Sequence, residues 1–141
     1  MRSVIRIRMR APAERIYALA ADVERWPQLL PHYRYVRRLP AANGERRFAM
    51  GARRGLIPLR WEAIQRPSPA QRVIGFSHVG GVTRGMEVAW RLDPVDGAVE
   101  VSIEHELHTL GPVMSRLVAG FVEAVAGRTL RRIKTLAEAD R

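Results

Sequence analysis

The chain contains no cysteine and almost no lysine, and both absences narrow its chemistry. Without cysteine there is no disulfide framework, no thiolate nucleophile and no thiolate metal site. Lys134 is the only lysine, so nearly all of the 24 basic residues are arginines. The sequence also lacks an apolar run of the ~18–20 residues that cross a membrane, and it lacks the charged and then apolar start of a signal peptide. We therefore expect a cytoplasmic protein with no membrane span.

The positive charge is high but dispersed. The 24 basic and 14 acidic residues give a net charge of +10, yet no run of five or more basic residues occurs. Basic tails that bind nucleic acid are typically blocks of like charge, so this pattern favours a solvated surface. Nucleic acid is disfavoured as a partner, although a basic surface that binds nucleic acid or ribosomes stays open as an alternative function.

The first forty residues predict a strand followed by two short helices. Residues 2–10 alternate, with isoleucine and methionine on one face and arginine on the other, as in a half-buried strand. Ala11-Pro12 then opens a first helix, and Asp22 is placed to cap a second one. Pro27 falls near the first turn of that second helix, where its missing N–H does least harm. Pro31 ends the element.

Alternation and turn residues then predict a run of strands. The expected strands are 33–39, 45–50, 56–65, 72–79, 84–92 and 99–108. The turns between them are Asn43-Gly44, 51–55, the loop 66–69, Gly80-Gly81 and 93–97. A long helix over about 113–139 follows, with Met114, Leu117, Phe121 and Val125 on its apolar face. This order predicts an α+β fold with one meandering antiparallel sheet.

The stretch 11–39 resembles a known superfamily. Its Ala-Pro helix, its Asp-x-x-x-Trp-Pro motif from Asp22 to Pro27, Tyr33 and the strand that follows are similar to the polyketide cyclase/dehydrase pattern. Trp90 with Asp93-Pro94, and the terminal Arg-x-Leu-x-x-Ile-Lys helix, support the resemblance. The chain therefore resembles the START-like (SRPBCC) superfamily over essentially its whole length, 1–141, as one domain. This superfamily also includes ubiquinone-binding proteins and lipid-transfer domains.

The resemblance implies a helix-grip fold, as in START and Bet v 1-like proteins. A curved antiparallel sheet of about seven strands would wrap around the long C-terminal helix and enclose an elongated apolar cavity. Trp26-Pro27 would fix the second short helix across one end of the sheet, where Trp26 is first of all a packing anchor. Tyr33 and Tyr35 would stand near the cavity mouth.

Strand alternation selects the polar groups that point inward. His105 shares a face with Val101 and Ile103, and His78 shares a face with Ile74 and Phe76. A lone histidine on an apolar face is more often a packed core residue than a catalyst, but two such residues on separate strands of one sheet strengthen a functional interpretation. Glu104 and Glu106 fall on the opposite face and are interpreted as a hydrated surface pair.

One expected residue of the cyclases is missing. The resemblance implies an arginine late in the strand 56–65, but that position is Gln65, and Arg66 follows it. Arg66 and Arg84 are the two residues that could substitute for this arginine. The alternative interpretation is that both lie at solvated strand ends. The catalytic candidates are Tyr33, His105 and Arg66. The predicted ligand-binding set is Trp26, Leu30, Tyr33, Tyr35, Trp61, Phe76, His78, Arg84, Met86, Trp90, His105 and Phe121.

The resemblance implies two candidate functions, in addition to the alternative of a basic surface that binds nucleic acid or ribosomes. One is binding of a hydrophobic ligand, an aromatic polyketide, quinone or lipid-like molecule, and the other is an aromatase/cyclase acting on a poly-β-keto chain. We expect no cofactor and no metal, since His105 and His108 lie on opposite faces of their strand. The expected partner is a small hydrophobic molecule, with an acyl carrier or a polyketide synthase component as a further candidate.

Overall fold

The structure, a computed structural model, describes residues 1–139 and consists of one sheet, one long helix and several short helical turns. The strands are β1 Arg2–Met9, β2 Tyr33–Leu39, β3 Arg46–Arg54, β4 Ile57–Ser68, β5 Val73–Gly81, β6 Glu87–Val95 and β7 Ala98–Glu106. The α-helices are α1 Ala13–Ala21, α2 Trp26–Leu29 and α3 Pro112–Glu138, and the 3-10 turns are Val23–Arg25 and Pro69–Gln71.

All seven strands form one antiparallel sheet in the order β1-β7-β6-β5-β4-β3-β2. Each strand from β2 to β6 pairs with the next in the chain, while β1 joins the far side of β7. Helix α3 packs against β1 and β7 at one edge and also against β3, four strands away from β7. A flat sheet could not reach one helix from both sides, so the sheet curves around α3. The predicted α+β helix-grip fold is confirmed.

The short helices follow the proline signals. Pro12 precedes α1, and Pro27 occupies the first turn of α2. Asp22 does not cap as predicted, because its side chain makes no capping hydrogen bond. Its backbone N–H instead donates to the carbonyl of Ala18 and closes the last turn of α1.

Several strand limits differ from the sequence prediction, because glycine and proline were interpreted as turns. Strand β3 continues to Arg54, and Gly51 and Ala52 are buried within it. Strand β4 runs on through Pro67, and Gly81 still pairs with Trp61.

The long helix agrees closely with its prediction, except at its start. Its buried face includes Val118, Val122, Ala126 and Leu130. Met114 and Leu117, predicted on the apolar face, are exposed. Ser3 of β1 bonds to Glu123 of α3. The first turns of α3 therefore project beyond the start of β1. Within residues 1–139, no helix combines the length and the apolar composition that crossing a bilayer requires.

Gly81 gives a test of how the β4–β5 pairing is held. A Cβ at Gly81 would lie 2.5 Å from the carbonyl oxygen of Arg60, and the residue has φ +91°. Gly97 also has positive φ, at +77°, but nothing lies within 4 Å of its missing Cβ. We expect Gly97→Ala to cost about 1 kcal/mol from backbone strain alone. Gly81→Ala should cost about 3 kcal/mol or more, because strained backbone and a backbone clash add. Urea unfolding of both variants measures the difference, and equal losses would contradict the close approach.

Candidate functional site

A cavity lies between the concave face of the sheet and α3. The space inside it for the centres of water-sized molecules is about 70 Å³, and the total empty space is about 610 Å³ when the part open to solvent is counted. Its walls are mainly aromatic and aliphatic, and the polar groups among them are a tyrosine, two histidines and two threonines. The lining residues are Trp26, Tyr33, Met50, Leu59, Trp61, Phe76, His78, Thr83, Met86, Val88, Trp90, Ile103, His105, Phe121, Val122, Val125, Ala126 and Thr129.

Trp26 forms one wall and anchors the short helices at the same time. Its indole Nε1 donates to the carbonyl of Leu19, 3.1 Å away, which ties α2 to α1. Its ring centroid lies 4.9 Å from that of Tyr33 in an edge-to-face arrangement and 6.0 Å from that of Trp90. The side chain is therefore both a packing anchor and part of the cavity surface.

Tyr33, the first residue of β2, is buried with its ring among other aromatic rings. The centroid distances are 5.1 Å to His32 and 6.0 Å to Trp61. Its hydroxyl forms no hydrogen bond with the residues described here, and burial alone raises its pKa. The phenol therefore stays protonated and has a free O–H to donate to a ligand acceptor.

Trp61 and His78 form a parallel stack inside the cavity. Their ring centroids are 5.6 Å apart and their planes differ by 4°. The β4–β5 register shifts between Glu62 and Ala63, so that Gly81 faces Trp61 and His78 faces Ala63. This β-bulge brings the two rings together, as bulges re-aim side chains elsewhere.

The two cavity histidines are uncharged near neutral pH. Burial lowers the pKa of His78 to about 3, helped by the neighbouring His105, and burial lowers the pKa of His105 to about 4. His78 shares a hydrogen bond of 2.7 Å with Thr83 through Nδ1. In His105, Nδ1 is buried without a hydrogen-bond partner among the described residues. The nitrogen Nε2 of His105 is then the atom through which it can contact a ligand.

A third buried histidine was not predicted. His32 is 1% exposed and its Nε2 lies 2.7 Å from the hydroxyl of Thr129, which itself donates to the carbonyl of Val125. Because that hydroxyl proton is used, Nε2 of His32 is the donor of this bond. Burial and then the charge of Arg128 lower the pKa of His32 to about 4. Thr129 thereby presents an oriented oxygen to the cavity.

The structure brings nine of the predicted site residues together around the cavity. These are Trp26, Tyr33, Trp61, Phe76, His78, Met86, Trp90, His105 and Phe121. Leu30 is fully buried at the end of α2, in the core but outside the cavity lining. Tyr35, Arg66 and Arg84 lie elsewhere.

Tyr35 faces away from the cavity, contrary to the expectation that it shares a side with Tyr33. The β2–β3 register shifts between the two tyrosines, and this irregularity reverses the alternation. The ring of Tyr35 fills the space where Gly51 lacks a Cβ, and the guanidinium of Arg37 lies 4.7 Å from the ring centroid. Tyr35 is thus part of the outer surface.

Both candidate arginines are outside the cavity as well. Arg66 is exposed and donates to the hydroxyl of Ser77. Arg84 is exposed in the turn between β5 and β6, since β6 begins only at Glu87. Gln65, at the position where the resemblance implied an arginine, is buried and donates to the carbonyl of Ala21, 2.8 Å away. Among residues 1–139, no cationic side chain replaces the expected arginine in the lining.

Half of the lining was not selected from the sequence, for two reasons. Met50, Leu59, Val88, Ile103, Val122, Val125 and Ala126 are on predicted apolar faces or next to them, and nothing local separates lining from core. Thr83 sits in a turn, where no pattern marks a polar side chain as inward-facing. Thr129 lies one helical turn after Val125 on the apolar face of α3, so helical periodicity could have found it. No cluster of three or more potential metal ligands occurs in the described part of the chain.

Comparisons with known proteins place the chain in a family. Residues 9–134 match the family model described as polyketide cyclase / dehydrase and lipid transport. The chain is 29% identical over 139 residues to the granaticin polyketide synthase bifunctional cyclase/dehydratase of Streptomyces violaceoruber. That alignment covers 96% of this chain but 43% of the relative, so the chain spans less than half of that protein's length.

Two solved structures show the same fold at lower identity. The Zhui aromatase/cyclase from Streptomyces sp. R1128 superposes with a TM-score of 0.84 at 18% identity, covering 98% of this chain and 93% of the other. A START superfamily protein from Mycobacterium smegmatis superposes with a TM-score of 0.73 at 18% identity, covering 96% and 98%. With the family model matched over most of its length, the chain belongs to the polyketide cyclase/dehydrase and lipid transport family.

Proposed function

We propose that residues 1–141 act as one ligand-binding domain that holds a hydrophobic, aromatic or polyketide-like molecule in the cavity. The observation that carries this proposal is the composition of the walls. The described residues provide aromatic and aliphatic side chains, a few uncharged polar groups and no charged residue. Small-molecule sites are typically built this way, with the polar groups fixing orientation.

The polar groups favour a ligand with carbonyl or hydroxyl oxygens. The free O–H of Tyr33 and a ring N–H of a neutral histidine are donors, and Thr129 presents an oxygen fixed by His32. A flat ligand ring could stack on the parallel rings of Trp61 and His78. A purely aliphatic lipid would leave these donors without partners, which costs about 1–3 kcal/mol for each buried group.

A second candidate function is cyclisation or dehydration of a poly-β-keto chain. Two neutral histidines on one cavity wall favour it, and so does the cyclase/dehydratase relative. In a dehydration, His105 Nε2 would take the proton from the carbon next to a carbonyl. The hydroxyl on the following carbon would then leave as water after receiving a proton from Tyr33, and the proton held by His105 would return to the Tyr33 phenolate. Arg66, exposed on the outer face, has no part in this scheme.

Binding remains the first proposal because the cavity histidines are weak bases. A base whose conjugate acid has a pKa near 4 accepts protons weakly at neutral pH, whereas catalytic bases work best with a pKa near the operating pH. A carrier role needs only the hydrogen bonds. An acyl carrier or a polyketide synthase component would be the natural source of a polyketide ligand.

Filling the cavity should abolish binding. Ala126 lines the cavity, and Ala126→Phe places a ring in it. We expect the neutral fluorescent probe N-phenyl-1-naphthylamine to bind the native chain and to bind Ala126→Phe at least about tenfold more weakly. The matched control is Ala41→Phe, at an exposed position before β3. Equal affinities for the two variants would contradict the cavity as the binding site.

If His105 is the catalytic base, a substitution of His105 should reduce product formation and leave ligand affinity nearly unchanged. We expect His105→Asn to lower formation of cyclised product about 100-fold or more. Affinity for the fluorescent probe should change less than about threefold. The assay supplies a polyketide synthase that releases unreduced poly-β-keto chains and quantifies the products by mass spectrometry. His108→Asn, at an exposed position three residues away, is the control. Unchanged products in His105→Asn would remove this function and leave binding intact.

The buried histidines also predict that stability falls in acid. Their folded pKa values lie below the ordinary value near 6.5, so the unfolded chain binds more protons once the pH falls below about 6.5. The stability present at pH 7 is therefore lost progressively toward pH 4. Each histidine contributes at most about 1.4 kcal/mol per pH unit, and less for the half-buried His78 and His105. Urea midpoints at pH 7 and pH 5 test this, and His105→Asn should show the smaller drop.

A further inference from the structure

All six large apolar side chains that are exposed in residues 1–139 lie at one end of the molecule. They are Leu56, Ile57, Val82, Val113, Met114 and Leu117. Leu56 and Ile57 form the tip of the β3–β4 hairpin, Val82 lies in the β5–β6 turn, and the other three occupy the first turns of α3. We call this set the apolar tip.

Pairing and contacts show that these three segments belong to the same end. Gly81, which precedes the β5–β6 turn, pairs with Trp61 near the start of β4. The guanidinium of Arg54, at the end of β3, lies 3.8 Å from the site of a Cβ on Gly120. The start of α3 and the hairpin therefore project side by side beyond the sheet.

The apolar tip continues into the cavity. Leu59 follows Ile57 by two residues on β4 and lies on the same face, and Phe121 follows Leu117 by one helical turn. Both Leu59 and Phe121 line the cavity and are half-buried. An apolar path thus leads from the exposed tip to the interior.

The same three segments carry only positive charge. Residues 53–60, 81–86 and 111–117 contain five arginines and no aspartate or glutamate. These are Arg53, Arg54, Arg60, Arg84 and Arg116, all exposed. None of them forms an ion pair within the described chain. Arg2, which starts β1 at the same end of the sheet, pairs with Glu104, and Glu87 and Glu106 are the carboxylates next to this end.

We propose that the apolar tip docks on an anionic lipid bilayer, with the five arginines at the headgroups and Leu56 and its neighbours among the acyl chains. Interfacial binding requires this combination of buried apolar area and attraction to anionic lipid. A bilayer fits better than a protein partner because Leu56 is 95% exposed at the tip of a hairpin. A projecting apolar side chain can insert among mobile acyl chains, whereas a protein partner would need a matching pocket for it.

Vesicle flotation tests the proposal directly. We expect the protein to float with phosphatidylcholine vesicles that contain phosphatidylglycerol, to remain unbound with phosphatidylcholine alone, and to be released by salt. Leu56→Ser should weaken partitioning about tenfold through lost acyl-chain contact. Arg84→Glu should weaken it about fivefold or more through lost attraction to the headgroups.

Matched controls come from the opposite end of the sheet. Val95→Ser, in the half-buried residue before the β6–β7 turn, and Arg10→Glu, directly after β1, should leave flotation unchanged. Ala126→Phe should also float normally, so failure of the cavity proposal and failure of this one are distinguishable. No flotation with anionic vesicles, or equal losses in the tip variants and their controls, would overturn the proposal. Binding of an acidic carrier protein through Leu56 and Arg84 without any vesicle binding would overturn it as well.

Discussion

The indole of Trp26 is the contact on which the cavity depends. Its N–H holds α2 to α1 through Leu19, and its ring contacts Tyr33 and Trp90, which lie on strands at different places in the sheet. Edge-to-face and tilted aromatic contacts each contribute about 0.5–1.5 kcal/mol beyond the area they bury. They hold two helices of nine and four residues, which would be too short to persist on their own. Proline in the first turn of α2 adds stiffness at the same point. Without this anchor the concave face of the sheet would lose one wall.

The sequence predicted the parts of the structure that follow from local periodicity. Alternation in β7 placed His105 inward correctly, because the strand is regular along its whole pairing with β1 and β6. Alternation failed for Tyr35, because one irregularity in the register reverses every later side chain and Arg34 carries no signal of it. His32 was missed for a different reason. It lies in a turn outside any periodic element, and its partner Thr129 is 97 residues away.

Charge is separated in this molecule between an arginine-rich exterior and an uncharged interior. Burying an unpaired charge is expensive, so inward-facing polar groups stay neutral or move outward. The histidines remain inside by losing their protons, and Arg66 and Arg84 remain in solvent. An anionic ligand would meet no cation in the lining, while a neutral ligand with carbonyl groups meets several donors. The net charge of +10 therefore influences which partners the surface attracts. It does not determine which ligands the cavity binds.

The same burial that makes His105 a weak base in the empty cavity bears on whether it can catalyse. At neutral pH about one molecule in a thousand carries the proton on a group with a pKa near 4. If an enolate developed beside Nε2, its negative charge would favour the imidazolium, and poor screening inside the cavity would make that attraction stronger than in water. Proton transfer would then depend on the ligand itself supplying the charge. Ligands that cannot form an enolate would simply be held, so the proposed site would act as a carrier for most molecules and as an enzyme for few.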